Sequence, residues 1–360
     1  MYRAYKFRCY PNREQQIKIL RNVSYARFLY NKMLEDSIAY YQQTKKMFHT
    51  TPAQYKKDYP FLKEADSLAL MNAHQHLRTA FKNFFEQPKV GYPKFKSRHR
   101  SKWSYTTNVL NGNIQLVGHK IRLPKIGWIN IRKHREPVGT LKSVTVSYSR
   151  SGRFFVSCMY EISDQPNNPV QIQKTIGLDY SSPKLYVDNN GTSPVQPHFF
   201  RKSEEKLTQE QRKLSFMQKG SNNWLKQKKK VAKVHEHITN QRKDYLHKLS
   251  TQIANEYDLV GIETLNMKNM SRSLHLGKAT MDNGWGMFTT FLEYKLKARG
   301  KQLVQVPWNY PSTKTCSACG NIKPVALSER IYVCPACGQV IDRDKNAAIN
   351  IRRQALAIIG

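Results

Sequence analysis

Thr175-Ile-Gly-Leu-Asp-Tyr180 is a short apolar run that ends in an acidic residue, and Leu259-Val-Gly-Ile-Glu263 repeats that pattern further along the chain. Each run predicts a buried strand. A helix rich in alanine and isoleucine is predicted from Asp344 to Ile359. Two strand ends and a helix start can meet at one edge of an α/β sheet, which is the usual position of a site in such folds.

The surrounding sequence predicts the rest of an α/β unit. Residues 184–188 predict a second strand, which ends in the hairpin turn signal Asp188-Asn-Asn-Gly191. Further elements are expected as a third short strand before residue 200, a basic helical region over 201–256, a helix over 285–299 and a strand over 303–306. Alternating strands and helices of this kind favour an α/β fold.

The three acids Asp179, Glu263 and Asp344 allow a metal-centred chemistry. Converging carboxylates would bind Mg²⁺ or Mn²⁺, because hard cations prefer oxygen ligands. Two such ions about 4 Å apart can activate water and stabilise the leaving oxygen of a phosphodiester. Plainer interpretations stay open: a turn former at Asp179, a solvated edge residue at Glu263, and a helix cap at Asp342 or Asp344.

Four of the six cysteines form two Cys-x-x-Cys pairs near the C-terminus. They are Cys316, Cys319, Cys334 and Cys337. A glycine follows each pair, as a tight knuckle turn requires. This spacing predicts a zinc ribbon, and a site with four thiolates has no open coordination position, so its Zn²⁺ should be structural.

The first 170 residues show a different pattern. Alternation over residues 2–10 predicts a strand, and helical periodicity then continues with interruptions to about residue 86. Residues 88–103 are rich in cations and aromatics and predict an ordered loop. A period of two returns between about 112 and 161 and predicts an antiparallel β module. Residues 163–172 predict a linker.

The charge balance indicates a polyanionic partner. Lys and Arg total 60 against 25 Asp and Glu, which gives a formal net charge of +35. A charge of this size repels itself in a compact state, and nucleic acid is the partner that best offsets it. No apolar run approaches the roughly 18 residues of a membrane helix, and the start has no signal-peptide core. The sequence therefore predicts a soluble, cytoplasmic protein that has no membrane partner.

The sequence resembles the TnpB (OrfB) family of bacterial insertion sequences, whose members are RNA-guided DNA endonucleases related to type V CRISPR effectors. The similarity rests on Ile176-Gly-Leu-Asp-Tyr180, Leu259-Val-Gly-Ile-Glu-Thr-Leu265, Tyr310-Pro-Ser-Thr-Lys-Thr-Cys-Ser-Ala-Cys-Gly320 with Val333-Cys-Pro-Ala-Cys-Gly338, and Asp342-Arg-Asp-Lys-Asn-Ala-Ala-Ile-Asn-Ile351. Weaker matches are Trp285-Gly-Met-Phe288 and Tyr92-Pro-Lys-Phe-Lys-Ser97. Together they cover nearly the whole chain.

The resemblance implies a multidomain α/β architecture. It places a wedge β-barrel domain at 1–10 and 104–170 and inserts a helical recognition lobe over 11–103. It assigns 171–310 and 341–360 to a RuvC-like nuclease domain with an RNase H fold, and it inserts the zinc ribbon at 311–340.

The resemblance also implies roles for the three acids. Asp179, Glu263 and Asp344 match the catalytic, magnesium-binding acids of the family, and Asp342 stays a second candidate for the last position. Many members continue with Leu-Gly after the first acid, whereas this chain has Tyr180-Ser181-Ser182. That departure affects only the expected local contacts with the substrate.

By the same resemblance, the partners are a guide RNA encoded near its own gene and a double-stranded target DNA. The protein would be a monomer within a ribonucleoprotein and would cut DNA next to a short flanking motif, leaving 5′-phosphate and 3′-hydroxyl ends. Base pairing supplies the sequence specificity, so the protein need only hold the duplex backbone. Candidate nucleic-acid contacts are Lys94, Lys96, Arg98, Arg100 and Trp103, with Lys226, Lys228, Lys229, Lys230 and Lys233 on a long helix; for residues 228–230 a solvated helix face is the plainer interpretation.

Three other functions remain open. A guided repressor that does not cut DNA would be expected to have lost the acids. A single-strand tyrosine transposase needs His-apolar-His together with a tyrosine, whereas His74-Gln-His76 and His235-Glu-His237 have polar middle residues, which disfavours that function. A transposase accessory protein stays an alternative. A zinc-ribbon RNA-binding protein would leave the three acids unexplained.

Overall fold

The computed structural model of the 360-residue chain describes residues 1–163, 170–267, 269–270, 282–326 and 328–360. The chain divides into two compact units, Met1–Asp164 and Gln165–Gly360. The predicted linker at 163–172 falls largely outside the described residues. The division of the chain into four domains stays a prediction from the sequence, and the two units are described separately below.

The first unit is built on one antiparallel sheet of seven strands. Their order across the sheet is β2-β6-β7-β1-β5-β4-β3. The strands are β1 (Tyr2–Tyr10), β2 (Trp103–Asn108), β3 (Gln115–Val117), β4 (Lys120–Leu123), β5 (Gly127–Arg132), β6 (Thr140–Tyr148) and β7 (Phe154–Glu161). The edge strands β2 and β3 are not paired with each other among the described residues. The structure therefore shows a single curled sheet where a closed barrel was predicted.

Helices fill the sequence between the first two strands of this sheet. They are α1 (Arg13–Thr44), α2 (Pro52–Asp58), a 3₁₀ turn (Pro60–Glu64) and α3 (Ser67–Glu86). A capping box starts α1, in which Asn12 accepts from the Gln15 N–H and the Gln15 side chain accepts from the Asn12 N–H. The alternating residues Tyr5, Phe7 and Cys9 of β1 enter the shared core, as their period of two predicts.

The second unit contains a four-stranded sheet in the order β11-β10-β8-β9. Its strands are β8 (Thr175–Ser181), β9 (Leu185–Asp188), β10 (Leu259–Glu263) and β11 (Gln302–Val306), and β12 (Ile331–Val333) and β13 (Val340–Asp342) form a separate hairpin. The helices are α4 (Phe199–Ser215), α5 (Asn222–Glu256), α6 (Trp285–Lys297) and α7 (Arg343–Ile359). Strand β10 runs parallel to both β8 and β11, and β9 is antiparallel to β8.

Two glycines let α7 pack closely on this sheet. Gly177 of β8 and Gly261 of β10 are register partners. A Cβ on Gly177 would lie 2.7 Å from the Arg352 backbone nitrogen, and one on Gly261 would lie 2.8 Å from the Ala355 Cβ. Distances under 3.0 Å leave no room for a methyl group. The face of the sheet that carries these glycines therefore touches α7 directly.

One expectation for this unit is wrong. The described residues contain no third strand before residue 200, because Pro194 and Pro197 remove backbone donors that a strand would need. The predicted helical region over 201–256 is confirmed, and it consists of the two helices α4 and α5. Gly220 has φ +92°, which ends helical geometry, and Ser221 caps α5 by accepting from the Trp224 N–H.

The remaining predicted elements of this unit are confirmed by β8, β9, β10, α6, β11 and α7. None of the helices in the described ranges combines the length and the apolarity that crossing a bilayer would take.

Candidate functional site

The ends of β8 and β10 bring two acids side by side. The parallel register pairs Leu178 with Ile262, and Asp179 and Glu263 are the next residues on the two strands. Neighbouring strands lie about 4.8 Å apart. Side chains alternate along a strand, so each acid shares the face of the glycine two residues before it, which is the face covered by α7.

Helix α7 supplies the third acid. Ala348 of this helix lies against Gly177, and Asp344 is one turn earlier, about 6 Å along the helix axis. Asp342 is the N-cap of α7, and its side chain accepts from the Lys345 N–H at 2.9 Å. The cap thus occupies one oxygen of Asp342, whereas Asp344 lies in the first turn and pairs with the Arg343 guanidinium at 3.1 Å.

The charges of these acids act on one another. Asp179 is 5% exposed, and burial raises the pKa of its carboxyl well above the ordinary value. The negative charges of Glu263, Asp344 and Asp342 raise this pKa further, and the Arg343 guanidinium lowers it. Burial also raises the pKa of Glu263. The structure therefore gathers the three predicted acids, with Asp342 near them, into one acidic cluster, in which Asp179 is buried, Glu263 and Asp344 are half-buried and Asp342 is exposed.

A hydroxyl group belongs to the same cluster. Ser312 donates a hydrogen bond from Oγ to Oε1 of Glu263, and this bond lowers the pKa of Glu263 against the effect of burial. Ser312 lies in the segment between β11 and the first cysteine pair. Its hydroxyl is the kind of donor that stabilises an ionised carboxylate.

The four cysteines form a second cluster at the end of the same unit. Among the described residues they are the one group of three or more His, Cys, Asp or Glu side chains whose ligand atoms all lie within 4.8 Å of one another. The Sγ atoms of Cys316 and Cys337 are 3.7 Å apart, and those of Cys319 and Cys334 are 3.6 Å apart. No pair is joined by a disulfide. This cluster could hold a metal ion, and the acidic cluster is spaced more widely.

The two halves of the cysteine cluster have matching turns. The N–H of Gly320 donates to the Cys316 carbonyl, and the N–H of Gly338 donates to the Cys334 carbonyl, each at 3.0 Å. Both glycines have positive φ, +78° and +70°, which favours glycine. Burial would raise the pKa of Cys334, but N–H groups of Cys337 and Ala336 outweigh it and lower that pKa to about 6. Four sulfur donors of this kind fit Zn²⁺.

Two asparagines on α7 connect the clusters. Asn346 accepts from the Ser317 N–H at 2.8 Å and donates to the Thr315 carbonyl at 2.7 Å. Asn350 donates to the carbonyls of Thr315 and Ser312 at 2.7 and 2.8 Å. The sequence analysis assigned no role to these asparagines or to Ser312. One signal in the sequence could have indicated them. Asn346 and Asn350 are four residues apart, so they share one face of the final helix, and polar residues on a face that is otherwise apolar indicate specific hydrogen bonds.

The predicted nucleic-acid contacts of the first unit lie on the segment before β2. Lys94, Arg98 and Arg100 are exposed, whereas Lys96 and Trp103 are half-buried. The Lys96 ammonium lies 3.8 Å from the centre of the Tyr30 ring, and burial lowers its pKa. The indole N–H of Trp103 donates to the Arg98 carbonyl at 2.8 Å. Two of the five side chains thus contribute to the packing of their own unit.

The predicted contacts of the second unit lie on α5. The five predicted lysines of this helix, at positions 226, 228, 229, 230 and 233, are all exposed. The Lys228 ammonium lies 4.5 Å from the centre of the Trp224 ring. This arrangement leaves a cationic helix surface of the kind that can follow a phosphate backbone.

These features define an α/β protein with a partly buried acidic cluster at the carboxyl ends of parallel strands and a four-cysteine ribbon in the same unit. Comparison with known families gives three matches. Residues 157–274 match the OrfB_IS605 family, described as "Probable transposase". Residues 285–351 match "Cas12f1-like, TNB domain", and residues 1–46 match a helix-turn-helix domain of OrfB_IS605. In the last range the structure contains strand β1 and the single long helix α1.

Relatives align along the whole chain. A "Putative RNA-guided DNA endonuclease" of Streptomyces pristinaespiralis is 36% identical over 99% of this chain and 90% of its own length. A protein of Escherichia coli K12 with the same description, InsQ, is 31% identical over 99% of this chain and 93% of its length. The chain belongs to the OrfB (TnpB-like) family of insertion sequences, as the resemblance predicted.

The fold has a known counterpart as well. The Cas12f1 chain in a complex with sgRNA and target DNA superposes with a TM-score of 0.59 at 14% identity, covering 98% of both chains. This similarity shows a Cas12f1-like fold.

Proposed function

We propose that this protein is an RNA-guided DNA endonuclease with a RuvC-like nuclease domain, in which Asp179, Glu263 and Asp344 are the catalytic acids. The observation that carries the proposal is the acidic cluster, in which burial and the charges of Glu263 and Asp344 raise the pKa of Asp179 within a chain of net charge +35. The mutual repulsion of three such acids is relieved by a proton or by a bound cation, and a divalent cation can offset all three. The relatives named as RNA-guided DNA endonucleases support the same conclusion.

The donor set fits a hard divalent cation. The carboxylates of Asp179, Glu263 and Asp344 would hold Mg²⁺ or Mn²⁺, which supplies an activated water and stabilises the leaving oxygen of the phosphodiester. Arg343 pairs with Asp344 and limits the negative charge that the phosphate backbone meets. On the face of the sheet that carries the acids, Ile351 and Ala355 of α7 pack with Leu259, Val304 and Val306. This packing excludes bulk water from the inner side of the cluster, so the charges interact strongly.

The cysteine ribbon has a structural part in this proposal. Cys316, Cys319, Cys334 and Cys337 would hold one Zn²⁺ with no open position for a substrate. Asn346 and Asn350 attach the ribbon to the helix that carries Asp344. The metal would therefore fix the loop before the ribbon, and it would take no part in the chemistry.

The proposed partners are a guide RNA and a double-stranded target DNA. The exposed lysines of α5 between residues 226 and 233 and the cationic segment 94–103 offer contacts to phosphates. Specificity would come from pairing between the guide and the target strand. The solved complex of Cas12f1 with sgRNA and target DNA supports this choice of partners.

The test is cleavage by the purified ribonucleoprotein. The protein is co-expressed with the RNA encoded beside its gene, and labelled duplex DNA with candidate flanking motifs is added over a range of Mg²⁺ concentrations. Asp179→Ala should reduce cleavage by at least about a thousandfold, the scale seen when a catalytic group is removed, and it should keep RNA and DNA binding. The control is Asp244→Ala, because Asp244 is exposed and pairs with Lys248 away from the cluster.

Two outcomes would overturn the proposal. Cleavage by Asp179→Ala at the parent rate would show that the acids are assigned wrongly. Guided DNA binding by the parent with no cleavage at any Mg²⁺ or Mn²⁺ concentration would identify a repressor in place of a nuclease.

A further inference from the structure

We propose that Ser312 is a positioning residue for Glu263. Helix α7 carries Asp344, and through Ser312 it also fixes the position of Glu263. This inference rests on the proposed function and adds to it a specific residue outside the acidic cluster.

The contact itself is direct and buried. Ser312 is 3% exposed, and its Oγ donates to Oε1 of Glu263. Among the described residues, Oε2 of Glu263 accepts no hydrogen bond. One oxygen is thus fixed by the protein, and the other is left to bind a cation.

The backbone of Ser312 is fixed from both sides. Its N–H donates to the Tyr310 carbonyl at 2.9 Å. Its carbonyl accepts from the Asn350 side chain of α7 at 2.8 Å. Pro311 precedes it and restricts the backbone further. The backbone of Ser312 therefore cannot move away from Glu263 without breaking its hydrogen bond to α7.

The same helix fixes the loop that follows. Asn350 and Asn346 both donate to the Thr315 carbonyl at 2.7 Å. The N–H of Thr315 donates to the Pro311 carbonyl at 3.0 Å, which closes a turn around Ser312. Cys316, the first ribbon ligand, comes directly after this turn. The position of Ser312 thus depends on α7 and on the start of the ribbon together.

The need for such a residue follows from the side chain of Glu263. A glutamate has one more rotatable bond than an aspartate, so holding it in one rotamer costs more conformational entropy. Asp179 is fixed by the packing of its strand against α7, whereas Glu263 is the last residue of β10. A hydrogen bond to one oxygen selects the rotamer before the cation arrives. Partners of this kind are worth roughly 10–100-fold in metal affinity or activity.

The experiment measures cation binding apart from cleavage. Mn²⁺ binding to the intact ribonucleoprotein is followed by electron paramagnetic resonance, and the Mg²⁺ concentration for half-maximal cleavage is measured on the same preparations. The variants are Ser312→Ala and Ser312→Thr. The control is Thr264→Val, because the Thr264 hydroxyl adjoins Glu263 in sequence and donates instead to the Val306 carbonyl at 2.8 Å.

We expect Ser312→Ala to weaken Mn²⁺ binding and to raise the Mg²⁺ requirement by about tenfold or more. Its cleavage rate at saturating Mg²⁺ should fall much less, and RNA binding should not change. Ser312→Thr, which keeps the hydroxyl, should restore Mn²⁺ binding to within about threefold of the parent, and Thr264→Val should match the parent.

Three results would overturn this assignment. The first is Mn²⁺ binding by Ser312→Ala equal to that of the parent. The second is a loss in Ser312→Ala that Ser312→Thr does not restore, which would indicate packing in place of hydrogen bonding. The third is an equal loss in Thr264→Val.

Failure of the inference can be told apart from failure of the proposed function. If the parent cleaves, Glu263→Ala does not, and Ser312→Ala behaves like the parent, only the role of Ser312 is wrong. If the parent cuts no DNA but binds Mn²⁺ in a manner that Ser312→Ala weakens, the proposed function fails and the role of Ser312 stands.

Discussion

The cysteine ribbon and the acidic cluster are both possible metal sites, yet they are assembled in opposite ways. The cysteines come from two short segments of the chain, and their sulfur atoms all lie within 4.8 Å of one another. The acids Asp179, Glu263 and Asp344 come from positions up to 165 residues apart in the sequence. They meet because two parallel strands end together and a helix packs over them.

The difference concerns how each site tolerates its own charge. Backbone N–H groups lower the pKa of Cys334 to about 6, which prepares it for metal binding. The Gln339 N–H lowers the pKa of Cys337, but the neighbouring Cys319 and Cys334 thiols raise it to about 12. Burial and neighbouring acids raise the pKa of Asp179, so the unliganded cluster disfavours its own ionised form. The ribbon is therefore stabilised by local turns, and the acidic cluster is held by the rest of the unit at a cost in stability.

The largest effect is expected from Cys334→Ser. Loss of one thiolate from a four-sulfur site removes much of a binding energy of roughly 10–16 kcal/mol, so the ribbon should lose its metal, and cleavage should fall by at least about a hundredfold. Elemental analysis and cleavage assays measure both. The control is Cys9→Ala, because burial raises the pKa of Cys9 to about 12 and keeps it a thiol. Full metal content in Cys334→Ser would contradict the ribbon assignment.

The next effect tests how α7 holds the acids together. Gly177→Ala would place a methyl group 2.7 Å from the Arg352 nitrogen, so the variant should lose about 3 kcal/mol of unfolding free energy, within the upper range for overpacking. Chemical denaturation measures this loss. Gly286→Ala in helix α6 is the matched control, since no atom lies within 4 Å of the added carbon. It should gain roughly 0.5–1 kcal/mol. Equal stability of the two variants would contradict the close approach of α7.

A buried cation in the same unit extends the comparison to the opposite charge. Lys295 is 8% exposed and donates to the His247 carbonyl and to the hydroxyls of Ser250 and Thr251. Burial lowers its pKa from 10.5 to about 8. The unfolded chain binds the proton more tightly, so stability should rise as the pH increases from about 8 to about 10.5, by roughly 2–3 kcal/mol.

Denaturation of the parent and of Lys295→Met across that pH range tests this dependence. The variant should lack the rise, and Lys248→Met should keep it, because Lys248 is exposed and pairs with Asp244. The same slope in all three proteins would show that Lys295 is not the group responsible.

The smallest effect is expected from Asp179→Asn in the protein without divalent ions. The raised pKa of Asp179 means that the folded protein binds this proton more tightly than the unfolded chain. Stability is therefore lost as the pH rises from the ordinary value of 3.8 through the raised one. The amide does not ionise, so the variant should be more stable at pH 7 by roughly 0.5–2 kcal/mol, the usual gain from one stabilising substitution.

Thermal denaturation at pH 4 and pH 7 checks both the sign and the cause. The advantage of Asp179→Asn should shrink toward pH 4, and added Mn²⁺ should stabilise the parent more than the variant, because only the parent has all three carboxylates. A variant less stable than the parent at pH 7 would indicate that the acids are not under mutual repulsion.

Local patterns in the sequence were sufficient for much of this protein. The spacing of the cysteines, the runs that became β8 and β10, and the final helix each depend on neighbours within a few residues, and the structure has all of them. Each was predictable because its period or turn residue is a short-range property. The one error, a strand before residue 200, came from underestimating Pro194 and Pro197.

The tertiary structure alone decided which side chains meet. No spacing in the sequence indicates that Ser312 donates to Glu263 or that Asn350 donates to the Ser312 carbonyl. Nor does any spacing indicate that α7 packs directly against Gly177. These contacts join residues 38 to 175 positions apart in the sequence. They depend on how a helix docks on a sheet, and packing of this kind is fixed by the shapes of many surfaces at once. The sequence by itself determined the three acids and the four cysteines, and the docking of α7 determined how the acids are held.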